Sequence, residues 1–567
     1  MSTTPQALSD PSDASASQKP RGGVIDLDPM TRVGGALGVR VTTDGTRITD
    51  AHAAGNFFRG YETLALKRDL RDVMPIVSRA CGWCGGAHMT TASLALEMAF
   101  EMRPPPMAIG MRTIAQATEA IWVHAAHLAV RAAPDYCASV VAKTTPRLWA
   151  KARVAKAPGA SIHGYGTIAD LMEGMTPLTG RYWTETLPAG RRVQEMISMF
   201  YGKFPHPSVA APGTVAATLS WATFTEYFTR LVASVDYVKQ VCALWDDLIA
   251  FLYEADERFL TLGQRPASFI HAGCWDDVRS AYTYEGLDEN GRARLAPPGV
   301  MIDGNIETRN LSEVHAHITE HVDHSFYDIE VEGGHDRRGD SLPDGHPWTQ
   351  RNIARPAQRD EQGAYSWCAA PRWGGHVVES TPLGRLWLTA TRDDFPTNDF
   401  IEATGSSIRI LVPMNFQPET IVEWKIPERV NALERLRADA YGIAFAGLCA
   451  AITLLKGFEL MRTGEMEQSI PLDIPEDETM GVGLWETGRG FNAHWLRGDA
   501  GRVTNYQIIS ASTLNASPRD ADGRPGPMEE ALIDSPIIEE SSGDELTGID
   551  AMRVIHSFDP CMNCANH

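Results

Sequence analysis

The sequence predicts a mainly α protein of the α+β class, with a large helical-bundle core and small peripheral β elements. Three observations carry this. Residues 226–253 set Leu231, Val235, Val238, Cys242, Trp245, Ile249 and Leu252 at alternating steps of four and three, which lines one face of a long helix. Residues 428–462 are helical again, and within them 440–455 is the longest weakly polar run of the chain. It falls short of the roughly 20 apolar residues that span a bilayer, so it reads as a buried core helix. The strand signals are short and scattered: an alternating Leu37–Val41 before the turn Asp44-Gly45, and Ile408–Val412.

Taken in order, residues 1–22 are polar and rich in Ser, Pro and Gln, and are expected to form a disordered arm. They contain no apolar stretch of the kind a secretion signal needs. Residues 23–567 are expected to form one large domain around the helical core. After the hairpin at 37–48 comes a loop with Gly60, then a cysteine cluster at 81–84. The spacing predicts a helix from about Met107 to Val130, with His124 and His127 on one face, ended by Pro134 beside Asp135. Residues 328–375 are rich in Gly, Asp, Arg and Pro and read as an ordered excursion of loops and short strands. Residues 516–547 read mostly as loop. No internal repeat is present, which excludes a solenoid.

The chain has 51 Lys and Arg against 72 Asp and Glu, a formal charge of −21. Nucleic acid and anionic lipid both require a basic face, so neither is expected as a partner. Nine cysteines in 567 residues are too sparse, and odd in number, for a secreted disulfide scaffold. Cys242 and Cys449 lie on helical apolar positions and read as packed core thiols. Cys137, Cys274 and Cys368 have no cysteine neighbour and receive no role.

The remaining four form two C-x-x-C pairs, Cys81/Cys84 and Cys561/Cys564, with 476 residues between Cys84 and Cys561. Each pair puts two soft sulfurs within reach of one metal, and a site using both needs the whole fold. Spacing alone favours a structural Zn²⁺ over a redox centre, and leaves two local disulfides as a weaker third choice.

The flanks add more. Arg79-Ala80-Cys81-Gly82-Trp83-Cys84 with His88, and Asp559-Pro560-Cys561-Met562-Asn563-Cys564 with His567, resemble the two metal-binding motifs of the nickel–iron hydrogenase large subunit. Asp28-Pro29-Met30-Thr31-Arg32, Phe58-Arg59-Gly60-Tyr61-Glu62, Glu486-Thr487-Gly488-Arg489-Gly490 and Asn515–Asp520 resemble further blocks of that family, as does His556-Ser557-Phe558 before the second pair. The resemblance covers nearly everything after residue 25.

It implies an oxidoreductase that splits H₂ heterolytically at a Ni–Fe centre, the iron carrying CO and cyanide. Cys81 and Cys561 would be terminal nickel ligands, and Cys84 and Cys564 the bridges. A Mg²⁺ would be held by Glu62, His567 and the Ile508 carbonyl. Arg489 would hang over the metals, fixed by Asp559 and, as a second carboxylate, Asp135. Ser512 would hydrogen-bond a cyanide, and His88 would donate to a bridging sulfur. Cys561 or Arg489 would be the base.

The same resemblance implies an iron–sulfur small subunit as electron partner, and an oligomer of large/small heterodimers. It places the chain in the cytoplasm or at a membrane through a partner. It also implies extra encoded residues after His567, trimmed once metal is loaded. A hydrogen sensor and a non-catalytic subunit with structural Zn²⁺ are the alternatives.

Gly34, Ala36 and Ala511 depart from the commoner family pattern, and Gly34 and Ala511, with Trp83 inside the first pair, point to the branch of actinobacterial-type, high-affinity uptake hydrogenases. Gly34 stands where a glutamate usually carries the first proton. Either an ordered water fills the space or another group reaches in, the candidates being His88, Glu486 and a carboxylate that the sequence does not place, so that Gly34→Glu would leave the enzyme active.

Overall fold

A computed structural model describes residues 22–331, 333–355, 363–393, 400–411, 421–540 and 546–566. The expected N-terminal arm, the end of the strand expected at 408–412 and His567 lie outside the described residues, apart from Gly22 and residues 408–411. The expected class holds: long helices form the centre, and seven small sheets surround or enter it among the described residues.

The chain begins with an antiparallel sheet of β1 (Gly23–Leu27), β2 (Leu37–Thr43) and β3 (Ile48–Gly55). The predicted β2–β3 turn is present. Asp44 Oδ1 accepts from the backbone N–H of Thr46 at 2.8 Å and of Arg47 at 3.0 Å, and Gly45 takes φ 87°. Helix α1 (Gly85–Ala99) starts directly behind Cys84 and is buried on every face.

Helix α2 (Pro106–Ala126) starts with Pro106 in its first turn, where the missing N–H costs nothing. The helix predicted to Val130 does not stay α-helical. Residues His127–Ala132 form a wider π turn, and Ala133–Tyr136 a 3-10 turn around Pro134. His124 and His127 share a face as expected, and both meet Asp439 through Nδ1, at 2.7 and 3.1 Å.

Helix α3 (Arg181–Tyr201) packs on α2. The single helix expected over 226–253 is two: α4 (Trp221–Val232) and α5 (Val235–Ala255). Ser234 breaks it. Its N–H turns back to the Leu231 carbonyl at 3.0 Å, and its hydroxyl takes the Arg230 carbonyl at 3.0 Å, so the α-helical ladder stops there. The apolar seam survives the break, and all seven of its residues are buried.

Helix α6 (Ala432–Thr463) is capped by Asn431, whose Oδ1 accepts from Glu434 N–H at 2.9 Å, and closed by Gly464 at φ 81°. At 32 residues it is long and apolar enough to cross a membrane, longer than the 440–455 core suggests. Its flanks are covered by α2, α4 and α5, which makes it the core helix of the bundle.

One sheet is larger and deeper than the rim elements expected. Strands β4 (Thr479–Thr487), β5 (Gly490–Asp499) and β6 (Arg502–Ser510) run antiparallel and are almost wholly buried. β4 lies directly on α1. A Cβ at Gly483 would stand 1.8 Å from the Thr91 carbonyl oxygen, and at Gly481 2.0 Å from that of Ala95, so only glycine permits this approach. Helix α7 (Ala511–Asn515) follows β6. The expected loop at 516–547 contains a short helix, α8 (Pro527–Leu532). Helices α9 (Ile549–His556) and α10 (Met562–Ala565) bring the chain back to α1.

Candidate metal centre

The two cysteine pairs meet. Cys81 and Cys84 close the turn before α1, and Cys561 and Cys564 flank the start of α10. Their sulfurs stand 2.9 Å (Cys81–Cys84), 3.2 Å (Cys561–Cys564), 3.6 Å (Cys81–Cys561) and 3.3 Å (Cys84–Cys564) apart. All four are buried and none is in a disulfide, which removes the third choice. Four soft donors around one point, away from water, fit a thiolate-bound metal centre. Backbone N–H groups of Trp83 and Cys84 point at Cys81 Sγ at 3.3 and 3.2 Å, which suits a thiolate.

The first negative charge of the cluster falls on Cys561. The neighbouring thiols of Cys564, Cys81 and Cys84 hold it well below the ordinary thiol range, against burial, and Arg489 adds to this. Cys84 and Cys564 move up, Cys84 chiefly through Cys561 and Cys564 chiefly through burial.

Arg489 stands at the tip of the β4–β5 hairpin, whose two-residue loop is Gly488-Arg489 between the paired Thr487 and Gly490. A hairpin of buried strands fixes its base. Its Nε donates to the Asp559 carbonyl at 2.9 Å and pairs with Asp559 Oδ2 at 2.8 Å, and Nη1 lies 3.8 Å from Cys84 Sγ. Burial alone would pull this guanidinium down. Asp559 and the thiolates outweigh it and keep the charge in place. Nη2 is buried with no hydrogen-bond partner, an orphan donor beside the sulfurs.

Asp559 thus takes its expected place, with backbone φ 46°, rare for a residue with a side chain. Asp135 does not. Its oxygens are taken by Arg32 Nη2 at 2.5 Å and His556 Nδ1 at 2.6 Å, so it holds α9 rather than Arg489. Ser512 is beside the centre, its Oγ accepting from the Cys561 N–H at 3.0 Å with its own proton left to donate. His88 lies in one group with Cys84 and Cys564, their ligand atoms all within 4.8 Å of one another. Its Nδ1 meets His494 Nε2 at 3.1 Å, and His494 Nδ1 meets the Tyr506 hydroxyl at 2.7 Å.

The structure bears on two expectations about the proton. Gly34 leaves no gap. Its N–H bonds the Pro560 carbonyl at 3.0 Å and its own carbonyl accepts from Met562, so the two chain segments lie side by side. A Cβ at Gly34 would stand 3.1 Å from Cys561 Sγ, so a side chain there requires the sulfur to give by a few tenths of an ångström. Gly34→Glu is therefore expected to disturb Cys561 rather than to be silent. Glu486 is locked: Arg385 Nε at 2.6 Å, His271 Nδ1 at 3.0 Å and Gly273 N–H at 2.8 Å surround it. Burial pushes its carboxyl up, but Arg385 and His271 win and hold it at about 2, which makes it a structural anion and not a carrier.

Glu62 is buried, and its Oε1 accepts from the Ile508 N–H at 2.7 Å. Burial raises it to about 8. Glu320, also buried, is pushed well above the carboxylate range by burial and by Glu62. Each would be neutral near pH 7 in the metal-free chain, and oxygen donors of this kind suit a hard divalent ion.

Several functional neighbours had no signal in the sequence. Ser510 caps α7 and donates to the Cys564 carbonyl at 2.6 Å. Glu119 accepts from the N–H groups of Gly86 and Ala87 at the start of α1, both at 3.1 Å, and burial lifts it to about 8. Arg59 donates to the Ala80 carbonyl and, at 3.2 Å, to that of Asn563, one in each cysteine motif. Cys368 Sγ lies 3.0 Å from Asn566 Oδ1, next to the chain end.

A buried four-thiolate cluster beneath an arginine, carried on a helical bundle, defines a protein built around a thiolate-bound metal centre. Residues 59–162 and 178–567 match the nickel-dependent hydrogenase family, and the chain belongs to it. It is similar to the uptake hydrogenase large subunits of Rubrivivax gelatinosus (28% identical, 96% of this chain and 95% of the relative) and Cupriavidus necator (26%, 96% and 96%). Among solved structures, the actinobacterial-type NiFe-hydrogenase from Ralstonia eutropha H16 superposes with TM-score 0.93 at 34% identity, over 96% of this chain and all of that one. The [NiFeSe]-hydrogenase of Dm. baculatum gives 0.74 at 26%, with 96% and 100% covered.

Proposed function

We propose that this chain is the catalytic large subunit of an uptake hydrogenase, oxidising H₂ to protons and electrons. The observation that carries it is the convergence of Cys81, Cys84, Cys561 and Cys564 beneath Arg489 in a site closed to water. Cys81, Cys84, Cys561 and Cys564 would together hold a nickel–iron centre, its iron carrying CO and cyanide. When bound, that centre supplies heterolysis of H₂ and the redox chemistry.

The chain's own residues do the rest. Cys561 carries the most readily formed thiolate, which suits it to hold the metal, and its Sγ would be the group that takes up the released proton. Arg489 is fixed by Asp559, so its Nη1 stays toward Cys84 Sγ without reorganising during turnover. Ser512 keeps a hydroxyl proton for a ligand of the iron. Electrons leave through an iron–sulfur small subunit, because the five other cysteines of this chain are scattered and build no relay. The assembly is an oligomer of such heterodimers, cytoplasmic or held at a membrane by its partner.

Elemental analysis of the purified protein is expected to give about one nickel and one iron per chain, with infrared bands of metal-bound CO and cyanide. Zinc as the sole transition metal would overturn this function.

Glu62, the Ile508 carbonyl and His567 would hold Mg²⁺, with Glu320 beside them. This gives a pH signature. Burial raises Glu62 from the ordinary 4.5 to about 8. Between those values the folded, metal-free chain keeps a proton that the unfolded chain releases. Its stability therefore falls as pH rises through that window, by on the order of a few kcal/mol, and levels off above it. Added Mg²⁺ is expected to reverse the trend, and Glu62→Gln to flatten it. Thermal melts of chelator-treated protein from pH 5 to 8 check this; a melting temperature that rises across the window sinks the assignment of Glu62.

A further inference from the structure

The π turn after α2 carries a side chain that touches both cysteine motifs. Arg131 is buried, and its guanidinium carbon lies 4.4 Å from the ring centroid of Trp83, the residue between Cys81 and Cys84. Its Nη1 donates to Asp559 Oδ1, two residues before Cys561. Asp559 Oδ2 is the oxygen that meets Arg489. One carboxylate is therefore shared between Arg131 and Arg489. Trp83 is held a second time by Trp122 of α2, stacked at 5.5 Å with 7° between the ring planes. The Arg131 carbonyl is itself tied by the Arg32 guanidinium. The contacts run unbroken from Trp122 through Trp83, Arg131 and Asp559 to Arg489.

From this arrangement, and resting on the function proposed above, we infer that Arg131 is a positioning residue that staples the two thiolate pairs together and sets the aim of Arg489. The physical case has three parts. Two half-sites separated by 476 residues have no local chain to hold their register, so contacts across them must do it. Arg59 bridges the same two motifs through their carbonyls, and Arg131 does so through side chains. Second, arginine is the one cation whose planar head can lie over an indole and offer a fork to a carboxylate at once. Third, the π turn is what places it. One extra residue per turn swings Arg131 out of the register a straight α-helix would give, and such turns concentrate at functional sites. Arg131 also balances Asp559 at Oδ1, the oxygen that Arg489 does not use.

The test uses purified holoprotein. Arg131→Lys keeps the charge and loses the stack and fork. Arg131→Met keeps the length and loses the charge. Trp83→Leu, at a partly exposed position, removes the stack and leaves the ion pair. The first readout is the rate at which bound metal is lost to an excess of chelator, whichever metal the wild type carries. The second is the position of the infrared bands of the iron's diatomic ligands, and the third is H₂ oxidation.

Arg131→Met is expected to lose metal at least about tenfold faster, the size of effect that groups supporting metal ligands have, with shifted bands and turnover down by a similar factor. Lysine and Trp83→Leu are expected to fall between it and the wild type. Should Arg131→Met fail to fold, the lysine and Trp83→Leu variants carry the same test. Wild-type metal retention with unshifted bands in the variants that fold overturns the staple. Wild type carrying only zinc overturns the hydrogenase function instead, and the rate of zinc loss then still reads the staple.

Discussion

Cys564→Ser is expected to yield a folded protein with less than about a tenth of the wild-type nickel and iron and no measurable H₂ oxidation. Cys564 is the sensitive choice because it belongs to both groups of converging ligand atoms, that of Cys81 and Cys561 and that of Cys84 and His88. Serine has nearly the same shape, so the packing of α10 against α7 survives. The hydroxyl, however, is a harder donor than sulfur and does not ionise near neutrality. Removing one of four soft ligands from a water-free site takes away both charge and affinity. The backbone anchor, the Cys564 carbonyl on Ser510, is untouched, so metal loss would not follow from unfolding. Elemental analysis beside far-UV circular dichroism separates the two. A serine variant with full nickel and iron would place the centre elsewhere.

The chemistry was legible where it is written in contiguous words. Each C-x-x-C carries its own geometry, and the flanks that resemble a family did the rest. Single residues that serve the site from afar carry no such word. Arg131, Glu119, Glu320 and Ser510 are ordinary residues until the fold brings them in, and the π turn that delivers Arg131 has no sequence mark. The sheet of β4–β6 escaped for a different reason. Strands buried on both faces lose the alternation that betrays a strand, and Gly481, Gly483, Gly488 and Gly490 mimic a loop. Gly481 and Gly483 are there because α1 lies against the backbone, Gly488 because Val123 and Ala120 of α2 do, and Gly490 because Ser380 does.

Asp135 and Glu486 show the opposite failure. Both are buried carboxylates in or beside the expected motifs. Which partner each takes is decided by arginines and histidines from elsewhere in the chain: Arg32 and His556 for one, Arg385 and His271 for the other. Sequence position gives proximity, whereas side-chain pairing gives the role. Gly34 is similar. Its missing side chain suggested room, but two backbone segments had closed on each other at that point.

Arg489→Lys is expected to keep both metals and to lose H₂ oxidation by about 100-fold or more, the range seen when one preorganised donor is removed from a closed site. Lysine preserves the positive charge, so the thiolates and Asp559 still see a cation, and metal content should stay within about twofold of wild type. What it loses is the fork. Arg489 uses Nε on Asp559 and keeps Nη1 toward Cys84 Sγ, with Nη2 buried beside it, three directions fixed by one plane. A single ammonium cannot hold Asp559 and face the centre together, and its four-carbon stem brings rotational freedom that the hairpin tip does not remove. The carboxylate that Arg489 leaves would also be drawn wholly to Arg131, pulling Asp559 away from the site. Metal content, infrared bands and turnover measured on one preparation decide it. Normal turnover with normal metal would show that charge alone suffices at this position and that the aim of the guanidinium does not matter.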